Sequence, residues 1–238
     1  QNVFLGGLVG DAVTTGSSNI AIGYAAMHSA NGAESRNVAI GQFALFAMDA
    51  DGFNYNVAIG YEAGKEISTG VENTIVGGQA GDALTTGSQN IAIGTYALSA
   101  EDTGSRNIAI GRGALSAQNY DGNAYNIGIG HSAGATITSG VNNTLIGGLA
   151  GDALTSGSDN VAIGLNALST EDTGGHNVAV GAQALQNLYA GANGHNVAVG
   201  FQAGTAVTTA IDCVLIGGIA GDNLTTGSSN IAIGKHAL

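Results

Sequence analysis

Short apolar runs recur along the whole chain, each introduced by a polar residue, usually Asn, and closed by Gly. The segment NIAIG at 90–94 is typical, and NVAIG, NVAVG and NTLIG are near-copies elsewhere. With the residue before each run as the origin, fourteen units begin at residues 2, 19, 37, 56, 73, 90, 107, 126, 143, 160, 177, 196, 213 and 230. Self-similarity at a nearly fixed period of 17 to 19 residues predicts a solenoid in which each unit forms one coil.

A longer period overlies the short one. The units that start at 73, 143 and 213 are 70 residues apart, which is four units. We therefore expect a single all-β domain over residues 1–238, a parallel β-solenoid or β-roll with this four-coil super-repeat. Parallel strands lie about 4.8 Å apart, so fourteen coils predict a rod about 65 Å long.

Within each unit the first and third residues after the origin are almost always Ile, Val or Leu, and the second is usually Ala, as in Ile91, Ala92 and Ile93. A period of two predicts a strand whose first and third side chains face the interior of the coil, with the second facing away. The second position is never charged, although a solvent-facing position should be polar. We therefore expect this Ala-rich face to pack against another copy of the chain.

Two further positions predict how each coil closes and fills. The fourth residue is Gly in all fourteen units, which predicts a corner with positive φ or a close backbone approach. Where the eighth position is Leu, the eleventh is often polar (Leu98 with Glu101), and where the eighth is Gly, the eleventh is aliphatic (Gly81 with Leu84). One large side chain per coil fills a thin interior in either case.

The origin residue is Asn in thirteen of the fourteen units, and Cys213 is the exception. Identical amides stacked at strand spacing predict a ladder in which each side chain bonds to neighbouring coils and satisfies turn backbone groups. The predicted ladder residues are Asn19, Asn37, Asn56, Asn73, Asn90, Asn107, Asn126, Asn143, Asn160, Asn177, Asn196 and Asn230.

Charge and composition restrict the function. The net charge is −12 with only five Lys and Arg, so a phosphate-binding surface for nucleic acid is disfavoured. The apolar runs are too short for a transmembrane helix, so no membrane insertion is expected. A single cysteine allows no disulfide within the chain. The sequence starts and stops within repeats, and we expect it to be a fragment of a longer protein.

The NVAIG and NIAIG units followed by Gly-rich turns resemble the head repeats of trimeric autotransporter adhesins. The stretch NTIVGGQAGDALTTGSQNIAIGTYAL resembles still more closely the repeats of phage tail-fibre and related surface-fibre proteins. The resemblance covers the whole chain. It implies a left-handed β-roll, a homotrimer, and a structural or adhesive role in an extracellular, cell-surface or virion fibre that gives stiffness and multivalent attachment.

An alternative function lies in the three 19-residue units, which carry extra residues at 48–55, 118–125 and 187–195. Aromatic rings beside carboxylates and amides suit a shallow glycan site, with ring faces for stacking and polar edges for hydroxyl groups. The candidate ligand-binding residues are Phe53, Tyr55, Tyr120, Tyr125 and Tyr189. Covering the bulges or a subunit seam is the structural alternative for the same rings.

Other chemistry has weaker support. The residues just before the origins form a column with Asp159, His176, His195 and Asp212, which are weak candidates for a transition-metal site. GGQAGD at 77–82 and its copies are near a calcium-binding nonapeptide but lack its period, so their aspartates are expected to cap turns. Glu101 and Glu171 are expected in exposed turns. No nucleophile, base or phosphate-loop arrangement is found, so we expect neither enzymatic activity nor a cofactor.

Overall fold

A computed structural model describes residues 1–30 and 32–238 of the chain. These residues form strands and turns without an α-helix. The chain divides into two compact units, Gln1–Ala124 and Tyr125–Leu238. Each unit contains seven of the fourteen repeats and is described by itself below.

Each repeat contributes one three-residue strand to a parallel sheet. The first unit has β1 (Val3–Leu5), β2 (Ile20–Ile22), β4 (Val38–Ile40), β6 (Val57–Ile59), β7 (Thr74–Val76), β8 (Ile91–Ile93) and β9 (Ile108–Ile110), with a second short pair β3 (Glu34–Ser35) and β5 (Gly52–Phe53). The second unit has β10 (Ile127–Ile129), β11 (Thr144–Ile146), β12 (Val161–Ile163), β13 (Val178–Val180), β14 (Val197–Val199), β15 (Val214–Ile216) and β16 (Ile231–Ile233). The predicted parallel β-solenoid of about fourteen turns is therefore confirmed.

The register matches equivalent residues of successive repeats. Ile91, Ala92 and Ile93 of β8 pair with Thr74, Ile75 and Val76 of β7, one repeat earlier. The rest of each coil also bonds to its neighbours, as when the Gln89 N–H donates to the Val71 carbonyl (3.0 Å). Stacking thus satisfies backbone groups around the whole coil and not only in the strands.

The facing of the strands is the reverse of the sequence prediction. The second strand position is fully buried in the middle strands, as at Ala58, Ala92 and Ala162, and Ile75 and Leu145 at the same position are buried too. The first and third positions face outward. The expectation that an Ala-rich outer face contacts another chain is therefore wrong, because the alanines lie inside the coil.

The interior holds few large side chains, and glycines leave the room for them. A Cβ at Gly81 would lie 2.9 Å from Leu84 Cδ1 and 3.1 Å from Ile75 Cδ1. Leu98 is buried at the eighth position of the next coil, where Ala92 leaves space. Side-chain volume inside a coil is therefore balanced among three positions: the eighth and eleventh residues, as predicted, and also the second strand residue.

The invariant fourth glycine needs both of its predicted properties. At Gly77 φ is +137°, and an added Cβ would lie 2.7 Å from the carbonyl carbon of Gly94 in the next coil. Other corners use left-handed residues with side chains, such as Gln89 (φ 60°), Tyr96 (φ 60°) and Leu98 (φ 54°). Each such residue costs about 1 kcal/mol locally, so the stacking contacts must hold these corners in place.

We expect Gly77→Ala to destabilise the fold by about 3 kcal/mol, because the methyl group meets backbone that cannot move without separating the coils. Gly78→Ala is the matched control, since an added Cβ there has nothing within 4 Å. Urea unfolding followed by circular dichroism measures both free energies. Equal losses for the two variants would contradict the close-approach explanation.

Candidate functional site

The buried asparagines form a hydrogen-bonded column in each unit. The Asn90 N–H donates to Oδ1 of Asn73 (2.9 Å), and Nδ2 of Asn90 donates to the Gly104 carbonyl across the same coil (2.9 Å). The same arrangement joins Asn160 to Asn143 (3.0 Å). Each ladder side chain therefore accepts from the following coil through Oδ1, and its Nδ2 group satisfies a turn carbonyl inside the solenoid.

The column of buried asparagines continues along both units. The fully buried ladder side chains are Asn37, Asn56, Asn73, Asn90, Asn107, Asn126, Asn143, Asn160, Asn177 and Asn196, and Asn19 is 1% exposed. In the last repeat Asn230 donates instead to the Gly227 and Ser228 carbonyls of the preceding turn. The column is thus a structural feature of the solenoid interior.

Cys213 occupies a position of the asparagine ladder, where its thiol is a poor substitute for the hydrogen bonds of an amide. Its N–H donates to Asn196 Oδ1 (3.0 Å), and its Sγ lies 3.4 Å from the Gly227 carbonyl oxygen. A thiol is a weak donor and a weak acceptor, whereas an amide would offer Oδ1 to the next coil. The ladder is therefore weakest at this point of the second unit.

Three buried glutamates were missed or misplaced by the sequence reasoning. Glu101 and Glu171 were expected in exposed turns, but both side chains are fully buried, as is Glu34. Positions 101 and 171 belong to the eleventh-residue column, which is aliphatic in most coils and points inward. That column was the available signal, because an inward position stays inward when its residue is charged.

Glu101 and Glu171 hold turns of their own coil and of the next. Glu101 Oε1 accepts from the Gly104 N–H (2.8 Å), and Glu101 Oε2 accepts from Gln118 Nε2 (3.1 Å). Glu171 accepts from the Gly174 N–H (2.9 Å) and the Ala190 N–H (2.8 Å). Burial raises the pKa of Glu101, and these hydrogen bonds to the ionised form oppose that shift.

The aromatic candidates for ligand binding lie on the surface, but the rings of Phe53 and Tyr55 already contact the side chain of Arg36. The Arg36 guanidinium carbon lies 3.8 Å from the Phe53 ring centroid and 5.3 Å from that of Tyr55, and its Nη1 donates to the Tyr55 hydroxyl. Phe53 is 61% exposed and Tyr55 46%. Arg36 therefore occupies a ring face that a sugar would use.

The other three aromatic candidates lie in the later bulges. Tyr189 is 54% exposed, and its hydroxyl donates to Asp172 Oδ2 (3.4 Å). Tyr120 lies in the first unit and Tyr125 in the second, and both are exposed. The described residues form no pocket beside any of them. Glycan binding at these rings stays a prediction.

The acidic and histidine column has pairwise contacts only. His176 Nε2 lies 4.0 Å from Asp159 Oδ2, His195 Nδ1 lies 3.8 Å from Asp212 Oδ1, and the two imidazole centroids are 5.1 Å apart. Within residues 1–30 and 32–238, no three His, Cys, Asp or Glu side chains are placed to hold a metal ion. The contacts instead form a polar surface row.

The aspartates of the GGxAGD segments are partly buried. Asp82 Oδ1 and Asp152 Oδ1 are inaccessible to solvent and have no hydrogen-bond partner in the described part of the chain. Burial raises the pKa of both carboxyl groups. Glu62 and Glu66 raise the Asp82 pKa further, and Lys65 opposes them.

No family model, no curated protein and no solved structure matches the chain. Across the described ranges there is also no helix of the length and apolar character that a membrane crossing requires. The function is therefore argued from the chain's own residues.

We expect Cys213→Asn to stabilise the chain by about 1 kcal/mol, because the new amide donates to the Gly227 carbonyl and accepts from the Asn230 N–H. Asn160→Cys is the matched reverse change, and it should lower stability by a similar amount. Chemical denaturation under reducing conditions measures both. A Cys213→Asn variant no more stable than the parent would show that the thiol costs the ladder nothing.

The pH dependence of stability should change in Asp82→Asn. A carboxyl group with a raised pKa binds more protons in the folded state, so its contribution to stability falls as pH rises from the unfolded pKa, about 3.9, through the folded one. Relative to the parent, Asp82→Asn should therefore be more stable at pH 7 than at pH 3.5. The difference should be about 1 kcal/mol or less, since solvent screens a half-buried group.

Paired urea titrations at the two pH values measure this change in the difference between variant and parent. Asp152→Asn should repeat the result in the second unit. A difference between Asp82→Asn and the parent that is independent of pH would contradict the assigned cause.

Proposed function

We propose that this chain is a structural segment of a homotrimeric surface fibre, in which stacked coils give a stiff rod for multivalent attachment. The observation that carries the proposal is the uncovered aliphatic face of the β-strands.

In each unit this aliphatic face consists of the first and third strand positions of its seven repeats, and the two units together have 28 such positions. Twenty-six of these 28 positions are Ile, Val or Leu, and the other two are Thr74 and Thr144. Away from the chain termini, Ile59 is 37% exposed, and Ile93 and Ile163 are 36% exposed. A contiguous apolar patch of this kind is uncommon on a monomer and marks an interaction surface.

A second copy of the chain suits this face better than an unrelated partner. The side chains of each unit form two columns with one row per strand, about 4.8 Å apart, and a copy presents the same spacing. The face has no charge, so two copies with a net charge of −12 bring no acidic side chains together there. Rotational closure around one axis buries the face of every copy, and the resemblance to trimeric fibres favours three copies.

The proposed role follows from the repeat architecture. Each coil contacts its neighbours through backbone bonds, the Asn ladder and interior packing, so added coils extend the fibre without a new fold. Three parallel chains present every surface bulge three times, and weak contacts gain strength from multivalency. Attachment of this kind places the proposed fibre on the outside of a cell or virion.

We expect light scattering to give a mass three times that of the 23.2 kDa chain. Ile163→Lys should reduce the mass to that of one chain, because a lysine in the aliphatic face must leave water when the copies associate. Asn142→Lys is the matched control with the same charge change at an exposed position outside the face, and it should leave the mass unchanged.

Circular dichroism checks that both lysine variants keep the parent secondary structure. A parent protein with the mass of a single chain would reject the trimer. An Ile163→Lys trimer as stable to dilution as the parent would place the interface elsewhere.

A further inference from the structure

Three exposed tyrosines lie on every second coil of the first unit, outside both the asparagine ladder and the bulges. Tyr24 and Tyr61 are the fifth residues after the origins of the second and fourth coils, and Tyr96 is the sixth residue of the sixth coil. Their side chains are 52%, 50% and 44% exposed. The fifth residues of the coils between them are Gln42 and Gly78. We call Tyr24, Tyr61 and Tyr96 the tyrosine row.

Backbone stacking sets the spacing of this row. The N–H of the sixth residue in each coil donates to the carbonyl of the fifth residue in the preceding coil. These hydrogen bonds join Phe43 to Tyr24 (3.0 Å), Glu62 to Gln42 (2.9 Å), Gln79 to Tyr61 (2.8 Å) and Tyr96 to Gly78 (3.2 Å). Successive tyrosines are two coils apart, and two strand spacings amount to about 9.6 Å.

The first ring of the row is held in place by its neighbours. The Tyr24 and Phe43 ring centroids are 5.7 Å apart with an interplanar angle of 79°, which is an edge-to-face contact. A Cβ added at Gly7, in the preceding coil, would lie 3.6 Å from Tyr24 Cδ2. The ring thus rests on the preceding coil while half of its surface stays open to solvent. A ring that is already ordered loses little conformational freedom when a ligand stacks on it.

We propose that the tyrosine row binds a neutral, extended polysaccharide with β-1,4 linkages, such as cellulose or chitin. Aromatic rings offer apolar faces on which the C–H faces of sugars stack. The disaccharide repeat of such a polymer is close in length to the ring spacing of about 9.6 Å, so successive rings meet equivalent sugars. A straight row also favours a straight polymer over a helical one.

The surroundings of the row fit a neutral polymer. A net charge of −12 disfavours acidic polysaccharides. Beside Tyr61, Glu62 Oε1 lies 3.8 Å from Lys65 Nζ, so the two charges offset each other. The exposed side chains of Gln42 and Thr95 offer an amide and a hydroxyl group to sugar hydroxyls. The described residues form no pocket, which suits a polymer that lies along the surface.

Depletion of the full chain from solution by insoluble cellulose and by chitin tests the proposal. Both should bind the parent more tightly than starch, whose α-linked chains curve away from a straight row. Tyr24→Ala, Tyr61→Ala and Tyr96→Ala should each weaken binding to cellulose at least about fivefold, because each removes one stacking surface. Tyr189→Ala is the matched control, since it removes a similarly exposed ring outside the row, and it should keep the parent affinity.

A double variant tests the spacing itself. Tyr61→Ala combined with Gly78→Tyr keeps three rings but places them at unequal intervals. A Cβ at Gly78 has nothing within 4 Å, so a side chain fits there. This variant should bind cellulose as weakly as Tyr61→Ala alone. Binding as tight as that of the parent would overturn the match to the polymer repeat.

The inference goes beyond the proposed fibre and does not depend on it, because the whole row belongs to one chain. Light scattering should give the row variants the same mass as the parent, and circular dichroism should show the same secondary structure. A lower mass in Tyr61→Ala would make the row a contact between copies and overturn the proposal. Failure of the parent to bind either polymer would also overturn it, as would an equal loss of binding in Tyr189→Ala.

Discussion

The structure depends on the close in-register stacking of each coil on the next. The buried asparagine ladder specifies this stacking, since each amide accepts from the following coil and donates to a turn carbonyl of its own coil. Each of these hydrogen bonds adds only a little to the free energy of folding. Losing one costs more, because an unpaired amide or carbonyl in this interior would destabilise the fold by about 1 to 3 kcal/mol. The fourth glycine belongs to the same constraint, because only hydrogen fits between the corners of successive coils.

A thin interior follows from this stacking, and it determines which side chains face outward. Each coil encloses space for alanines and one or two large residues, so the aliphatic positions on either side of Ala92 must lie on the outer surface. A chain of low charge content therefore carries most of its isoleucines and valines on the outside. This inversion of the usual arrangement links the fold to association, because burying those residues requires other molecules.

Buried carboxylates are the second consequence of the narrow coil. The interior admits Glu101 and Glu171 because turn N–H groups and Gln118 donate to them, whereas one oxygen of Glu34 has no donor among the described residues. All three glutamate side chains are fully buried, so Glu34 differs from the other two in its hydrogen-bond donors and not in its burial. The buried glutamates thus anchor the turns that precede the long coils.

The sequence by itself determined the coil period, the parallel strands, the glycine corner and the position of the asparagines, because each depends on local spacing that repeats fourteen times. It did not determine which strand face lies inside. A period of two separates the faces without saying which one is enclosed, and hydrophobicity pointed the wrong way because the coil is too narrow for Ile91 and Ile93. Only the tertiary structure decided that, and only it placed Glu101 and Glu171 inside the coil, because turn N–H groups of their own and the next coil satisfy them there.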